Sequence, residues 1–147
     1  MAPLSEELPY IDEHALRIPA SRELVWTALQ RYVASSLVPA EPGLLRRVLG
    51  TEPPTGFRVS DSIHAERLTL VGRHRFARYM LTFELADVSE GSTQVRAQSY
   101  AAFPGVRGRV YRMLVIGTRA HVVATNHVLR SVRRVAMDLV AAQQSAI

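Results

Sequence analysis

PGVRGRVYRMLVIGTRAHVVATNHVLRSVRRVAMDLVAAQ, residues Pro104 to Gln143, reads as one unbroken amphipathic helix. Pro104-Gly105 supplies the break before it, and no proline follows to stop it. At 1.5 Å per residue such a helix is roughly 55 Å long and needs a surface to lie along. Polar positions recur every seventh residue at Arg112, Arg119, Asn126 and Arg133, flanked by Arg109 and Arg130. The other side carries Val110, Leu114, Gly117, His121, Ala124, Val128, Val132, Val135 and Leu139, a stripe wide enough to cover a sheet. Arginine interrupts every window of about twenty residues, which argues against a membrane span. Gly, Ala and His within the stripe argue against a coiled-coil seam, which would want Leu or Ile.

Upstream, the chain alternates like strands. From Tyr10 to Ile18, His14, Leu16 and Ile18 take one side and Glu13, Ala15 and Arg17 the other. Pro19-Ala20-Ser21 then opens a helix, with Ser21 as N-cap and Glu23 in the first turn. Leu24, Val25, Ala28, Leu29 and Tyr32 form its buried side, with Trp26 at the rim. A second helical turn before Pro39 and Pro42, a short strand Leu44 to Leu49 and a turn at Pro53 to Gly56 follow. Strands are expected over Phe57 to Ala65, Arg67 to Phe76, Ala77 to Ala86 and Thr93 to Phe103, the last two joined by a turn at Ser89 to Ser92. Their inward sets are Tyr79, Leu81, Phe83 and Leu85, and Val95, Ala97, Ser99, Ala101 and Phe103. The second set is small, so the layers either pack closely or leave a void.

A length of 147 residues suits one domain able to bury a real core. No cysteine is present, which excludes disulfides, thiolate metal sites and a cysteine nucleophile. All 18 basic residues are arginine, which excludes lysine Schiff bases and lysine general bases. The acidic N-terminus MAPLSEELPYIDE lacks an apolar run, so a cytoplasmic protein without a signal peptide is expected. Residues 1–90 carry ten Arg against twelve acids, whereas 91–147 carry eight Arg against Asp138 alone, so the net +5 belongs to the last strand and helix. That basic face is either simply solvated or meets an anionic membrane or acidic partner. Nucleic acid is not expected as a partner, because no aromatics interleave with the arginines.

The order of elements and one local motif carry a resemblance. Ile18-Pro19-Ala20-Ser21-Arg22-Glu23-Leu24-Val25-Trp26-Thr27-Ala28-Leu29 resembles the opening of proteins of the START-like (SRPBCC) superfamily, which includes polyketide cyclases, aromatase-like proteins and plant pathogenesis-related allergens. The stretch Gly72 to Tyr79 and the later Tyr111 to Arg119 resemble bacterial members of that superfamily. The resemblance implies one α+β domain over residues 1–147 with the helix-grip fold, a curved antiparallel sheet wrapped around a long C-terminal helix. It implies a mostly apolar cavity and a lipid-like or polyketide-like ligand more strongly than it implies any reaction.

Site residues are sought among polar groups on inward faces. Regular alternation puts Leu68, Leu70, Gly72, His74 and Phe76 on one face, so His74 points toward the helix. A bulge at Gly72 would reverse that register and turn an arginine from Arg73, Arg75 or Arg78 inward. His74, Tyr79, Ser99, Phe103, Gly117 and His121 are the expected ligand-binding set, with His14 on the apolar side of the first strand. Any one of them is more often a core residue satisfied by a local hydrogen bond than a catalyst. As an enzyme, the chain would use an imidazole as base and Tyr79 as donor to a carbonyl, which suits polyketide cyclisation or dehydration. Inward acids look scarce, Asp61 being the one that alternation places on an apolar strand face. No metal site is expected, since His121 and His127 are six apart on a helix and no HExxH occurs. No cofactor is expected, because phosphate-cradling glycine motifs are missing. Gly105 and Gly108, placed before the helix beside Arg107 and Arg109, either turn the chain or offer amides to an anionic head group.

Overall fold

The computed structural model describes residues 8–37, 57–74, 77–117 and 119–146. Strand β1 (Tyr10–Ile18) leads into α1 (Arg22–Tyr32) and a π-helical turn Val33–Leu37. Strands β2 (Arg58–Ile63), β3 (Arg67–His74), β4 (Ala77–Ser89) and β5 (Ser92–Ala102) follow, then α2 (Gly105–Arg112), a π-helical turn Met113–Gly117 and α3 (Ala120–Ser145). The expected strand at Leu44 to Leu49, the turn at Pro53 to Gly56 and the stop at Pro39 and Pro42 lie outside the described residues.

Among the described residues all pairings are antiparallel, in the order β1-β5-β4-β3-β2, and the sheet is curved and unclosed. Pairing runs evenly from Arg67↔Glu84 to His74↔Ala77, so Gly72 carries no bulge and Arg73 and Arg78 oppose each other on the outer face. Register then aligns the inner face in rows across the sheet. One is Leu68, Phe83, Ala97 and His14; the next is Leu70, Leu81, Ser99 and Asp12; a third is Gly72, Tyr79 and Ala101. The inward sets on β4 and β5 are those expected from alternation, because both strands keep strict two-residue periodicity through this region.

Ser21 caps α1 as expected, its hydroxyl accepting from the Leu24 amide. Leu24, Val25, Ala28 and Leu29 are buried, and Trp26 belongs to the core at 5% exposure, set edge-to-face against His64, rather than to the rim. Helix α3 packs on α1, β1 and β5 through Val128, Leu129, Val132 and Ala136. Its buried Thr125 and Ser131 bond back to the carbonyls of His121 and His127, so polar residues sit on the covered side without orphaned hydroxyls. Thr93, fully buried at the far end of the inner face, donates to the Ala20 carbonyl at 2.9 Å and ties β5 to the start of α1.

The single long helix does not form. Arg119 takes a left-handed conformation, φ 60°, and separates α2 with its π-helical turn from α3. Gly117, a weak helix former, ends the π-helical turn before it. The stripe inferred from seven-residue spacing therefore fails at both ends of the joint. Val110 and Leu114 are exposed, Ala124 is exposed, and Thr125 takes the buried position instead. Gly108 lies inside α2 and is buried there, while Gly105, with φ +73°, makes the turn out of β5.

On the outer face Glu13 accepts from Arg96 Nε at 2.8 Å and from Gln98 at 3.1 Å. The Arg96 hydrogen bond, and then that of Gln98, holds the Glu13 carboxyl below its ordinary range. A depressed folded-state pKa contributes stability above the ordinary carboxylate range and loses it as pH falls toward the folded value. Melting Arg96→Gln beside the parent chain should give a small difference at neutral pH that shrinks on acidification. A difference constant with pH would assign Arg96 a packing role alone.

Candidate functional site

Burial along the inner face is graded. At one end Ile18, Thr93 and Val95 are fully buried under α1 and α3, with Leu85 at 5%. Toward the other end Tyr79, Leu81, Ser99, Ala101, His14 and Asp12 are only half-buried. Among the described residues, the sheet and the first turn of α3 thus leave the less covered part of the inner face at the Asp12 end.

That corner holds a polar cluster. Asp12 Oδ2 lies 2.6 Å from His121 Nε2 and 3.0 Å from His14 Nε2. A carboxylate only accepts, so both rings donate through Nε2–H, and a neutral His121 keeps a lone pair on Nδ1. Asp12 Oδ1 and His121 Nδ1 are buried, and neither has a hydrogen-bond partner among the described residues. The elements fix this geometry from three directions. β1 places Asp12 and His14 two residues apart on one face, β5 sets Ser99 opposite Asp12, and the joint at Arg119 starts α3 so that His121 falls in its first turn.

Asp12 corrects the expectation that Asp61 is the inward acid. A register shift between Val59 and Asp61 sets Asp61 opposite Thr69 on the outer face, where it pairs with Arg67 at 3.1 Å. Asp12 shares the parity of His14, Leu16 and Ile18, and that two-residue spacing was the signal in the sequence for it.

Ser99, Tyr79 and His74 lie along the same face, whereas Phe103 and Gly117 lie off it. Ser99 adjoins Asp12, and Tyr79 stands one row further, edge-to-face with Phe57 at 5.0 Å. His74 closes the β3–β4 ladder opposite Ala77, an inner-face register position; its side chain lies outside the described set. Phe103 lies beyond β5, 6.2 Å from the Tyr111 ring and 5.7 Å from the Arg112 guanidinium carbon. Partial burial raises the Tyr111 phenol above its ordinary pKa. Gly117 ends the π-helical turn on the α2 side of the joint. The structure therefore brings Ser99 and His121 together with Asp12 and His14, and sets Phe103 apart beside α2. No group of three His, Cys, Asp or Glu among the described residues is arranged to hold a metal ion.

A curved antiparallel sheet gripping a C-terminal helix, with half-buried polar groups between them, is the helix-grip fold of START-like proteins, and this chain has that fold. The ZhuI aromatase/cyclase from Streptomyces sp. R1128 is similar in structure, with a TM-score of 0.60 and 14% identity over 90% of this chain and 96% of that one. A START superfamily protein from Mycobacterium smegmatis gives 0.52 and 10% identity, covering 88% and 99% of the two chains. The di-domain ARO/CYC BexL of the BE-7585A biosynthetic pathway gives 0.57 and 18% identity, covering 88% of this chain and 47% of that one. At such identities the likeness is one of fold. No family model matches the chain, and no curated protein matches it. No helix among the described residues is long and apolar enough to cross a membrane.

Proposed function

We propose that residues 1–147 act as one START-like domain that binds a hydrophobic or amphipathic small molecule between the sheet and α3, its polar end at Asp12 and His121. The observation that carries this reading is the pair of buried polar atoms without a hydrogen-bond partner among the described residues, Asp12 Oδ1 and His121 Nδ1, at the less covered end of an otherwise apolar face. The Asp12 oxygen accepts, and so does Nδ1 of a neutral His121 ring, which favours a ligand that donates hydrogen bonds, such as a phenol, enol or alcohol. A fatty-acid carboxylate would instead meet the Asp12 carboxylate as a like charge. His74, Tyr79 and Ser99 extend the lining of that face, with Phe103 and Gly117 at the α2 end, and an anionic membrane is the partner from which the arginine-bearing helical region would collect or deliver the ligand.

Native mass spectrometry of the purified chain, then thermal melts with hydroxylated aromatic polyketides, sterols and fatty acids, tests the proposal. A ligand at a hundred times its Kd adds about 2.7 kcal/mol to stability, a readily measured shift. Hydroxylated ligands should shift the melt and fatty acids should not. No retained molecule and no shift across the panel would reject it.

The 2.6 Å contact between Asp12 and His121 favours a second reading, a polyketide cyclase or dehydratase. His121 Nδ1 would take a proton from the carbon beside a ketone while Asp12 stabilises the imidazolium formed, and Tyr79 would donate to the carbonyl oxygen as it becomes an enolate. Turnover of a bound poly-β-keto analogue, abolished in His121→Gln with the analogue still bound, would establish this reading over simple carriage.

A further inference from the structure

Helix α2 is turned the opposite way from α3. At about 100° per residue, Val106, Val110 and Met113 fall on one stripe, Arg107 and Arg109 on its two flanks, and Gly108 and Arg112 on the far side. Gly108 is buried and Arg112 lies over Phe103, so the far side faces the protein and the apolar stripe faces away from it. Val106 is 76% exposed, Val110 54%, Met113 74% and Leu114 62%. Val106, Val110 and Leu114, with Arg107 and Tyr111, line a shallow surface groove. No Asp or Glu occurs between Glu90 and Asp138, so nothing acidic in this stretch offsets Arg107, Arg109, Arg112 and Arg119.

We propose that α2 and the π-helical turn after it dock the protein on an anionic lipid bilayer, the apolar stripe entering the acyl boundary and Arg107 and Arg109 reaching phosphates on either side. Arginine bends its charged head to the interface while its stem covers apolar surface, which suits cations on both flanks of an inserted stripe. An acidic protein would have to offer an apolar cleft shaped to this stripe as well as its charges, whereas an anionic bilayer supplies both without a specific shape. Nucleic acid would leave that centre in water. The docking does not depend on what the inner face binds. Its purpose, exchange of that ligand with the bilayer, rests on the reading above.

The test is flotation of the full chain with vesicles of phosphatidylcholine, with and without phosphatidylglycerol, at low and high salt. Binding should be confined to the anionic vesicles and fall with salt. Val110→Asp with Met113→Asp should weaken it about tenfold or more, as should Arg107→Ala with Arg109→Ala, since each arginine near an anionic surface contributes roughly a fivefold factor. All four positions are exposed, and melts matching the parent chain will verify that both variants fold. Absence of binding at low salt, equal binding to neutral vesicles, or full binding by the Val110/Met113 variant would overturn the proposal. So would a concentration-dependent dimer in ultracentrifugation that the same variant dissolves, which would give the stripe to a second copy. Vesicle binding with neither a retained ligand nor a thermal shift across the panel would keep the docking and reject the ligand reading, and the converse result would do the reverse.

Discussion

Replacing Asp12 with alanine is expected to weaken ligand binding by roughly ten- to hundredfold while leaving the fold in place. The substitution removes the shared acceptor of His14 and His121 together with the second oxygen offered to a ligand. Loss of one partner from such a set costs about 1–3 kcal/mol, which gives that range in Kd. The three side chains keep 18–24% of their surface exposed, so water can replace part of what the imidazoles lose, and the melting temperature should fall only slightly. Asp12→Asn separates the two functional readings. It keeps an acceptor and the shape of the side chain, so a binder should lose less than in the alanine variant. An enzyme that relies on Asp12 to stabilise an imidazolium should lose turnover as far as with alanine. Calorimetry and a turnover assay on the two variants measure these outcomes, and unchanged affinity in Asp12→Ala would remove the polar corner from the site.

Phe83→Ala should have the largest effect on stability, about 3–5 kcal/mol, against a total of about 5–15 kcal/mol for a natural protein. Phe83 is fully buried at the middle of β4, between Leu68 and Ala97 on neighbouring strands. Its neighbour Ala97 is small, so no adjacent side chain on β5 can fill the space left. Phe83→Leu, which keeps most of the volume, should lose less than about 1.5 kcal/mol. Urea denaturation gives both values. A loss below about 1 kcal/mol for alanine would mean that the sheet and α3 close over the gap, and that their separation is not fixed by packing.

Much of this fold is legible in the residues because β1 from Asp12 on, and β4 and β5 as far as Asp87 and Thr93, keep a two-residue period, and Ser21 announces α1. The Asp12–His14 pair was equally legible by parity, yet the search for an inward acid lands on Asp61, whose face depends on a shift between Val59 and Asp61 that no residue type signals. The pairing of Asp12 with His121 is a contact between positions 109 residues apart in the chain, and no spacing rule reaches that far. Gly117 marks the helix break, but the seven-residue recurrence of polar residues runs across it and conceals it. Continuing that recurrence through the joint assigns Val110 and Leu114 to the sheet side. The left-handed Arg119 and the π-helical turn change the phase, and the stripe of α2 emerges on the opposite side.

The outward stripe also bears on the heat capacity of unfolding. Newly exposed apolar surface raises that quantity by about 0.45 cal/K/mol/Å². Val106, Val110, Met113 and Leu114 are largely hydrated while the chain is still folded, so melting adds little from them. The free protein should therefore have a flatter stability curve than a composition of 48% hydrophobic residues implies, and covering the stripe should steepen it.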